Sequence, residues 1–368
     1  MKAAVVGLRM GANHARALAA LDGVELVGLC DIDPQLTKDV ADECVKIAAA
    51  AGRAGINRPA QFAGYTDMLR EVRPDIIGIA TPNRFHCEMT LEAVDSEVRA
   101  VYCEKPIAVD LGQGRRMVNA CREAGVPLIV NHQRRTGPDF TWLRAQINSG
   151  AIGEIYLVRG TCAGDMLSDG THLIDSVLYL TGDQDWTWVF AAHHRDVEET
   201  GQSGHDQNSG GGFHVSGGWR FGHPVEDGMM AVCELESGLR IEFLTGDLRT
   251  PDRPYHDIEI IGTKGSLWRR GDKGDEIVFR RGGAGWQTVT EIRRPDSRGL
   301  IGAGYAQMVD LVRNGKSDTD HPIGAPYAMR GFELLMGAYE SARIRTIVRR
   351  PVTQEKYPLA VELGIEEE

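Results

Sequence analysis

The residues best equipped for chemistry fall in three short stretches: Thr81-Pro82-Asn83, Cys103-Glu104-Lys105-Pro106, and "GDMLSDGTHLID" from Gly164 to Asp175. Lys105 offers a cation that can steady a developing negative oxygen. His172 offers an imidazole, the group best matched to moving a proton near neutral pH. Asp169 stands three residues before it and Asp175 three residues after, and that spacing puts Asp175 on the same helical face. Each has a plainer explanation when taken alone. Lys105 can be a solvated surface charge, His172 a packed core residue, and Asp169 or Ser168 the cap of the helix that Gly170 opens.

A fourth stretch, "AAVVGLRMGANHARA" from Ala3 to Ala17, has the outline of a nucleotide-binding turn. Such a turn reads G-x-G-x-x-G between a buried strand and a helix. Here Gly7-Leu8-Arg9-Met10-Gly11 lacks the middle glycine and is one position short. The helix N-terminus remains, and with it the capacity to hold phosphate. Leu8, Arg9 and Met10 then crowd a shortened loop, with Arg9 offering a side-chain contact in place of a backbone one. Asp31, followed by Ile32, ends the second strand twenty residues after Gly11. A carboxylate there takes ribose hydroxyls and repels a 2′-phosphate, which points to NAD rather than NADP. The alternative for Asp31 is a plain turn before Pro34.

The elements around these stretches change character partway along. Over the first 130 residues, β-like runs at 3–6, 24–30, 74–80, 98–103 and 127–130 alternate with helical segments such as 91–96 and 112–124. That alternation calls for a parallel sheet with right-handed crossovers. Thr81 to Asn83 and Glu104 to Pro106 follow two of the strands, at the carboxyl ends where such sheets bind ligands. From about 152 onward, strand-like runs follow one another at 155–160, 188–193, 229–235, 239–245 and 256–261. Turns at 236–238 and 263–265 make hairpins between some of them, and helices fall at 170–180 and 331–343. The expected fold is therefore α/β followed by α+β. A parallel-sheet domain takes residues 1–130, and an α+β domain with a mostly antiparallel sheet takes 131–368.

Composition narrows the functional classes. With 368 residues the chain has room for about two domains, each with its own core. A net charge of −11 argues against nucleic acid or an anionic membrane as the main partner. No apolar run approaches the roughly 20 residues of a membrane span, and Arg9 cuts short the apolar start that might pass for a signal peptide. Seven scattered cysteines, never spaced C-x-x-C, suit free thiols in a reducing cytoplasm. Histidines 193, 194, 205, 214, 223 and 256 lack ligand spacing with carboxylates, so no metal site is expected. The segment 201–222 holds eight glycines with His205 and His214, and reads as a flexible surface insertion or a lid over the site.

Taken together, these segments resemble the glucose–fructose oxidoreductase, inositol dehydrogenase and rhizopine-catabolism (Gfo/Idh/MocA) family. The likeness rests on Gly11-x-x-His14, "CDID" at 30–33, "ATPNRFH" at 80–86, "CEKP" at 103–106 and "NHQRR" at 131–135. It continues through "GAIGEIYLVRG", "DGTHLID", "HDIEIIGTKGSL" and "YESAR", all in family order. The resemblance implies an N-terminal Rossmann domain and a C-terminal domain with a large open sheet that joins subunits into homodimers or homotetramers. It also implies hydride transfer between NAD and a carbinol carbon of a sugar or polyol, with Lys105 and His172 catalytic. His172 would take the hydroxyl proton while Lys105 stabilises the incipient alkoxide.

On the same likeness the cofactor would lie against Gly7, Leu8, Arg9, Met10, Gly11, Asp31, Ile32, Thr81, Pro82, Asn83, His86, Glu104 and Lys105. The carbohydrate would meet Lys105, Gln133, Arg134, Arg159, Asp169 and His172. Arginines 134, 135 and 159 could grip an anionic substrate, although a surface ion pair is the plainer use of any one of them. One departure bears on the chemistry. The family's D-x-G-x-H pattern places its acid where Ser168 stands here, and the carboxylate has moved to Asp169. Either Asp169 replaces it, or Lys105 and His172 work with Asp165 or Asp175. A second activity uses the same groups: transient oxidation of a sugar hydroxyl, elimination of the aglycone, addition of water and return of the hydride, which amounts to glycoside hydrolysis. A non-catalytic sensor is the third possibility, opposed by the presence of both Lys105 and His172.

Overall fold

The computed structural model describes residues 1–53, 57–195, 218–248, 255–271, 276–290, 292 and 296–367. They gather into two compact units. One comprises Met1–Ala108, Gln113–Thr136 and Pro295–Met329, and the other Val109–Gly112, Gly137–Arg294 and Arg330–Glu368. The boundary expected at 130 falls inside the first unit's 113–136 segment, and residues 295–329 join that unit as well.

In the first unit, strands β1 (Lys2–Val6), β2 (Glu25–Cys30), β3 (Ala60–Phe62), β4 (Ile76–Ile79), β5 (Ala100–Cys103) and β6 (Leu128–Val130) form one sheet in the order β3-β2-β1-β4-β5-β6. Every pairing is parallel. Ile-Ile-Gly-Ile in β4 and Ala-Val-Tyr-Cys in β5 are buried throughout, as strands covered on both faces must be. Helices α1 (Leu8–Ala20), α2 (Pro34–Ala50), α3 (Tyr65–Val72), α4 (His86–Asp95) and α5 (Leu111–Ala124) connect them. The acid-rich turn after β2 has a local purpose: the Asp33 carboxylate caps α2, accepting the Gln35 and Leu36 N–H groups at 2.9 and 3.1 Å. Because β1 lies between β2 and β4, the order reverses there, which puts a ligand-binding switch point beyond the ends of β1 and β4.

The second unit opens with α6 (Pro138–Asn148), β7 (Ile155–Cys162), α7 (Thr171–Leu180) and β8 (Trp186–His194). A two-stranded ribbon of β9 (Trp219–Arg220) and β10 (His223–Pro224) comes next. Strands β11 (Gly228–Leu235), β12 (Arg240–Thr245), β13 (Asp257–Gly262), β14 (Gly265–Arg270), β15 (Glu276–Arg281), β16 (Gln287–Val289) and β17 (Val348–Arg349) complete a nine-stranded sheet. Its order is β16-β15-β14-β13-β7-β12-β11-β8-β17, antiparallel at every step except β7–β12. Alternation shows which face is covered. Ala231, Cys233 and Leu235 of β11 are buried, whereas Met230 is exposed and Val232 and Glu234 are half-buried. Gly160, in the central strand, lets α7 approach: a Cβ there would stand 2.9 Å from Leu173 Cδ1.

Helix α8 (Ser297–Arg313) places Ile301, Tyr305 and Met308 in the first unit's core, and α9 (Ala325–Ile344) follows it. Three glycines in α8 weaken its helical signature in the sequence. Strand β3 was equally inconspicuous, since it is three residues long with no side chain fully buried. Residues 201–217 of the glycine-rich segment, including His205 and His214, lie outside the described residues.

Candidate active site

The turn after β1 is even shorter than the sequence suggests. Gly7 alone makes it, at φ +82°, and α1 begins at the next residue. A Cβ on Gly7 would come within 2.6 Å of the Ala80 carbonyl oxygen, so no other residue fits without displacing β4's end. Leu8 does not crowd a loop. Its side chain is fully buried in the core, and its N–H donates to Asp31 Oδ2 at 2.6 Å. A helix's first N–H groups have no acceptor within the helix, and Asp31 supplies one of them. Its other oxygen accepts the Asp33 N–H at 3.0 Å. Each oxygen keeps a further lone pair for a ribose hydroxyl. Met10 and Ile32 are exposed beside this turn. A helix N-terminus, the Arg9 guanidinium and a carboxylate at the end of β2 suit the phosphates and ribose of a dinucleotide.

The loops beyond β4 and β5 are tied from below. Asn83 is buried in the short turn Asn83–Phe85, while Thr81 is half-buried and Pro82 exposed. His86 has no exposed surface: Nδ1 stands 2.9 Å from the Pro106 carbonyl and Nε2 2.9 Å from that of Thr81. It braces the two loops from behind, with both ring nitrogens facing backbone carbonyls. Burial pushes its imidazole below the usual range, against the pull of the two carbonyls.

Glu104, only 6% exposed, is the most heavily bonded side chain of the region. Its Oε1 meets His14 Nε2 at 2.9 Å and accepts from Asn131 Nδ2 at 2.7 Å, and its Oε2 accepts the Lys105 N–H at 3.1 Å. Tyr102 donates to Asn131 Oδ1, and the Tyr305 hydroxyl meets His14 Nδ1, both at 2.9 Å. Burial raises the carboxyl, but His14, Lys105 and Asn131 outweigh it and bring the value down to about 2. The Lys105–Pro106 peptide is cis, and the Lys105 side chain is half-buried. Gln133 is half-buried and Arg134 buried, while the Arg135 guanidinium lies 5.1 Å over the Tyr327 ring.

The second unit carries the histidine. Asp165 caps a π-helical turn, Met166–Gly170, through the Ser168 N–H at 2.6 Å and the Gly170 N–H on its carbonyl at 3.0 Å. Turns of this kind recur at functional sites. Arg220 of β9 donates to Asp165 Oδ2 at 2.8 Å and also to Asp169 Oδ2, while the Tyr255 hydroxyl donates to Asp169 Oδ1 at 3.0 Å. Asp169 is therefore fixed through both oxygens. Gly164 makes the room, since a Cβ there would overlap Asp169 Oδ2. His172, 5% exposed, follows in the first turn of α7, its ring edge-on to that of His256 with centroids 6.4 Å apart. Asp175 is buried one turn further on.

Arg159 lies on the sheet of the second unit, held by two carboxylates. It donates to Glu242 at 2.8 Å and lies 4.0 Å from Glu259, its cross-strand neighbours on β12 and β13. The sequence reading missed Arg220, concealed inside a stretch that looked like a loop, and Tyr255, next to the "HDIEIIG" motif. It quoted His14 but gave it no role.

Residues 1–132 match the model of an oxidoreductase family with an NAD-binding Rossmann fold, and residues 140–268 match the GFO/IDH/MocA C-terminal domain. The chain belongs to the Gfo/Idh/MocA oxidoreductase family. Among its relatives, D-glucoside 3-dehydrogenase of Escherichia coli (strain K12) is 29% identical over 50% of this chain and 54% of that protein. A glycosyl hydrolase family 109 protein of Shewanella pealeana is 29% identical over 41% of this chain and 32% of its own length. The chain thus spans about half the length, or less, of the curated relatives it matches. A levoglucosan dehydrogenase structure with NADH and levoglucosan superposes with a TM-score of 0.73 at 20% identity, covering 96% of this chain and 99% of that one, which shows the shared fold. Among the described residues, no helix of this Gfo/Idh/MocA chain is long and apolar enough to cross a membrane, and no group of His, Cys, Asp or Glu side chains could hold a metal ion.

Behind Asp165 lies Glu226, buried, accepting the Met166 N–H at 2.6 Å and paired with the Tyr339 hydroxyl at 2.6 Å. Burial, reinforced by the charge of Asp165, raises its carboxyl to about 8. A raised acid contributes stability that is complete below its unfolded value and is lost as pH climbs through the folded one. Glu226→Gln keeps both hydrogen bonds and carries no charge. Its unfolding midpoint by calorimetry should therefore match the wild type near about pH 5 and exceed it by about 3–6 °C near about pH 9. Equal midpoints at both values would show that no proton is held there. For the first unit, Asp31 predicts that NAD binds at least about tenfold more tightly than NADP in a fluorescence titration, and that Asp31→Ala erases the difference.

Proposed function

We propose that this chain oxidises a carbinol carbon of a sugar or polyol, with Lys105 and His172 as catalytic residues and Asp169 as their carboxylate. The observation that carries the reading is the fixing of Lys105. Its backbone N–H is bonded to a buried carboxylate, itself tied to α1 and to the end of β6, at the carboxyl edge of the parallel sheet. Groups held this firmly are suited to charge stabilisation, because no reorganisation is needed when the charge develops. NAD, when bound, supplies the hydride acceptor. Gly7, Arg9, Met10, Gly11, Asp31, Ile32, Thr81, Pro82 and Asn83 would hold it, with Leu8 contributing only backbone.

His172 takes the proton of the substrate hydroxyl, and the Lys105 ammonium steadies the oxygen as its negative charge grows. Asp169, gripped by Arg220 and Tyr255, presents a fixed carboxylate three residues before that histidine. Gln133 and Arg134 are assigned to the carbohydrate. The seven cysteines are all buried thiols, which suits a reducing, cytoplasmic setting. One relative's name favours a second reading, the redox-neutral hydrolysis of a glycoside, which draws on the same lysine and histidine.

A panel of sugars, polyols and nitrophenyl glycosides, followed separately for NADH and nitrophenol, decides between them. Stoichiometric NADH is the expected result; aglycone release without NADH would establish the second reading. Lys105→Ala and His172→Ala should each lower kcat by about 10²–10⁴-fold with unchanged circular dichroism. Wild-type turnover in either would remove that residue from the chemistry.

The open face of the second unit's sheet supports an assembly of copies of this chain. Phe190 and Met230 are 40% and 39% exposed there, and they surround the half-buried Val232 and Leu244 through cross-strand pairing. An apolar patch on a sheet suits a second copy of the chain, as a homodimer or homotetramer. Light scattering coupled to size exclusion should show an oligomer that Phe190→Asp with Met230→Asp reduces to a monomer. An unchanged mass would place the interface elsewhere.

A further inference from the structure

We propose that Tyr305, His14 and Glu104 form a positioning device for Lys105, with His14 held as its neutral Nε2–H tautomer. The assignment rests on the reading of Lys105 as catalytic and extends it to His14 and Tyr305, which have no exposed surface.

Hydrogen-bond accounting selects the tautomer. Asn131 and the Lys105 backbone already donate to Glu104, whose oxygens can only accept while ionised. His14 Nε2, 2.9 Å from Oε1, must therefore carry a proton. Nδ1 faces the Tyr305 hydroxyl at 2.9 Å, and a phenol is the better donor to an unprotonated nitrogen. With that choice the Tyr305 hydroxyl, both His14 ring nitrogens and both Glu104 oxygens have partners of the right kind, and no second buried cation is required. The order is Tyr305 O–H to His14 Nδ1, His14 Nε2–H to Glu104 Oε1, and Lys105 N–H to Glu104 Oε2.

Sterics fix the hydroxyl as firmly as the hydrogen bonds do. Tyr305 stacks on Tyr102 with centroids 4.2 Å apart, and His14 meets both rings edge-on. A Cβ at Gly78 would lie 2.5 Å from the Tyr305 hydroxyl oxygen, so strand β4 is a glycine where that hydroxyl sits. His14 and Tyr305 are both 0% exposed. Water cannot replace a lost partner there without a cavity, so removing the Tyr305 hydroxyl frees the His14 ring to turn. Glu104 then loses a donor that sets its orientation, and with it the Lys105 backbone.

The test uses the full chain with its best alcohol substrate and NAD. In ¹⁵N-histidine-labelled protein, the His14 signal, assigned by its loss in His14→Gln, should show a single protonated nitrogen at Nε2. Tyr305→Phe should mix the tautomers and lower kcat about tenfold, with KM and NAD affinity within about twofold. Tyr65→Phe is the control for simple loss of a buried tyrosine hydroxyl, which there donates to the Met89 carbonyl at 3.0 Å. It should lower stability and leave kcat unchanged. Wild-type kcat in Tyr305→Phe and His14→Gln, with Lys105→Ala inactive, would overturn the positioning role alone. Full activity in Lys105→Ala would overturn the role of Lys105 and this proposal together, whatever tautomer the spectrum shows. An Nδ1–H tautomer in the wild type would overturn the hydrogen-bond order.

Discussion

A single buried carboxylate organises the first unit. Glu104 cannot be ionised at 6% exposure unless the chain supplies donors, since an unpaired charge there would cost several kcal/mol. The donors come from three places: α1 through His14, the end of β6 through Asn131, and the backbone of Lys105. His14 needs a partner in turn and finds it in Tyr305, 291 positions further along the chain. That demand helps explain why residues 295–329 belong with the parallel sheet. The sheet itself is shaped to admit the helix that brings them. Gly304 stands where a Cβ would press on the Tyr102 hydroxyl at 2.4 Å, and Gly78 does the same for Tyr305.

The second unit solves a similar problem with a different balance of charges. Asp165, Asp169 and Glu226 are all buried, and Arg220 is the cation bonded to the first two. Two carboxylates against one guanidinium already leave a net negative charge. A third ionised acid beside Asp165 would be unsolvated and repelled, so Glu226 keeps its proton to well above the usual carboxyl range, while Arg220, His223 and the Ser168 N–H hold Asp165 below it despite burial. This ordering has a structural result. The ionised pair fixes Asp169, and the neutral Glu226 anchors the Met166 N–H at the start of the same π-turn. The residues leading into His172 are thus held from both ends.

Much of this was legible in the sequence, and what was not has identifiable causes. Continuous apolar runs gave the buried strands β1, β2, β4, β5 and β6 to within two residues at their ends, because a strand covered on both faces has nowhere to place polar side chains. Hairpins at 236–238 and 263–264 followed from their turn residues. Strands β15 and β16 lie near a sheet edge, where the apolar run of β15 shrinks to Ile277-Val278-Phe279 between charged residues and β16 is three residues long with no side chain fully buried. At the candidate sites, local motifs single out Lys105, His172 and Asp169. Their supports were invisible because they lie far away in sequence: Tyr305 for His14, Arg220 and Tyr255 for Asp169. The ion pairs of Arg159 were hidden for a different reason. An arginine on a strand looks available until the register reveals Glu242 and Glu259 on either side.

The turn after β1 does without a middle glycine for a structural reason. A middle glycine matters where a loop of several residues must bring its backbone close to a pyrophosphate. Here there is no such loop, because α1 starts directly after Gly7. The shortening moves the helix N-terminus toward the sheet edge, so the partial positive charge of its first N–H groups sits at the strand ends without a glycine to expose it. Part of that charge is already met by Asp31, whose carboxylate accepts the Leu8 N–H. The carboxylate at the end of β2 is thereby oriented by the N-terminus of α1. One hydrogen bond thus ties the end of β2 to the start of α1, and with the Asp33 N–H on its other oxygen it makes Asp31 a structural residue of this turn.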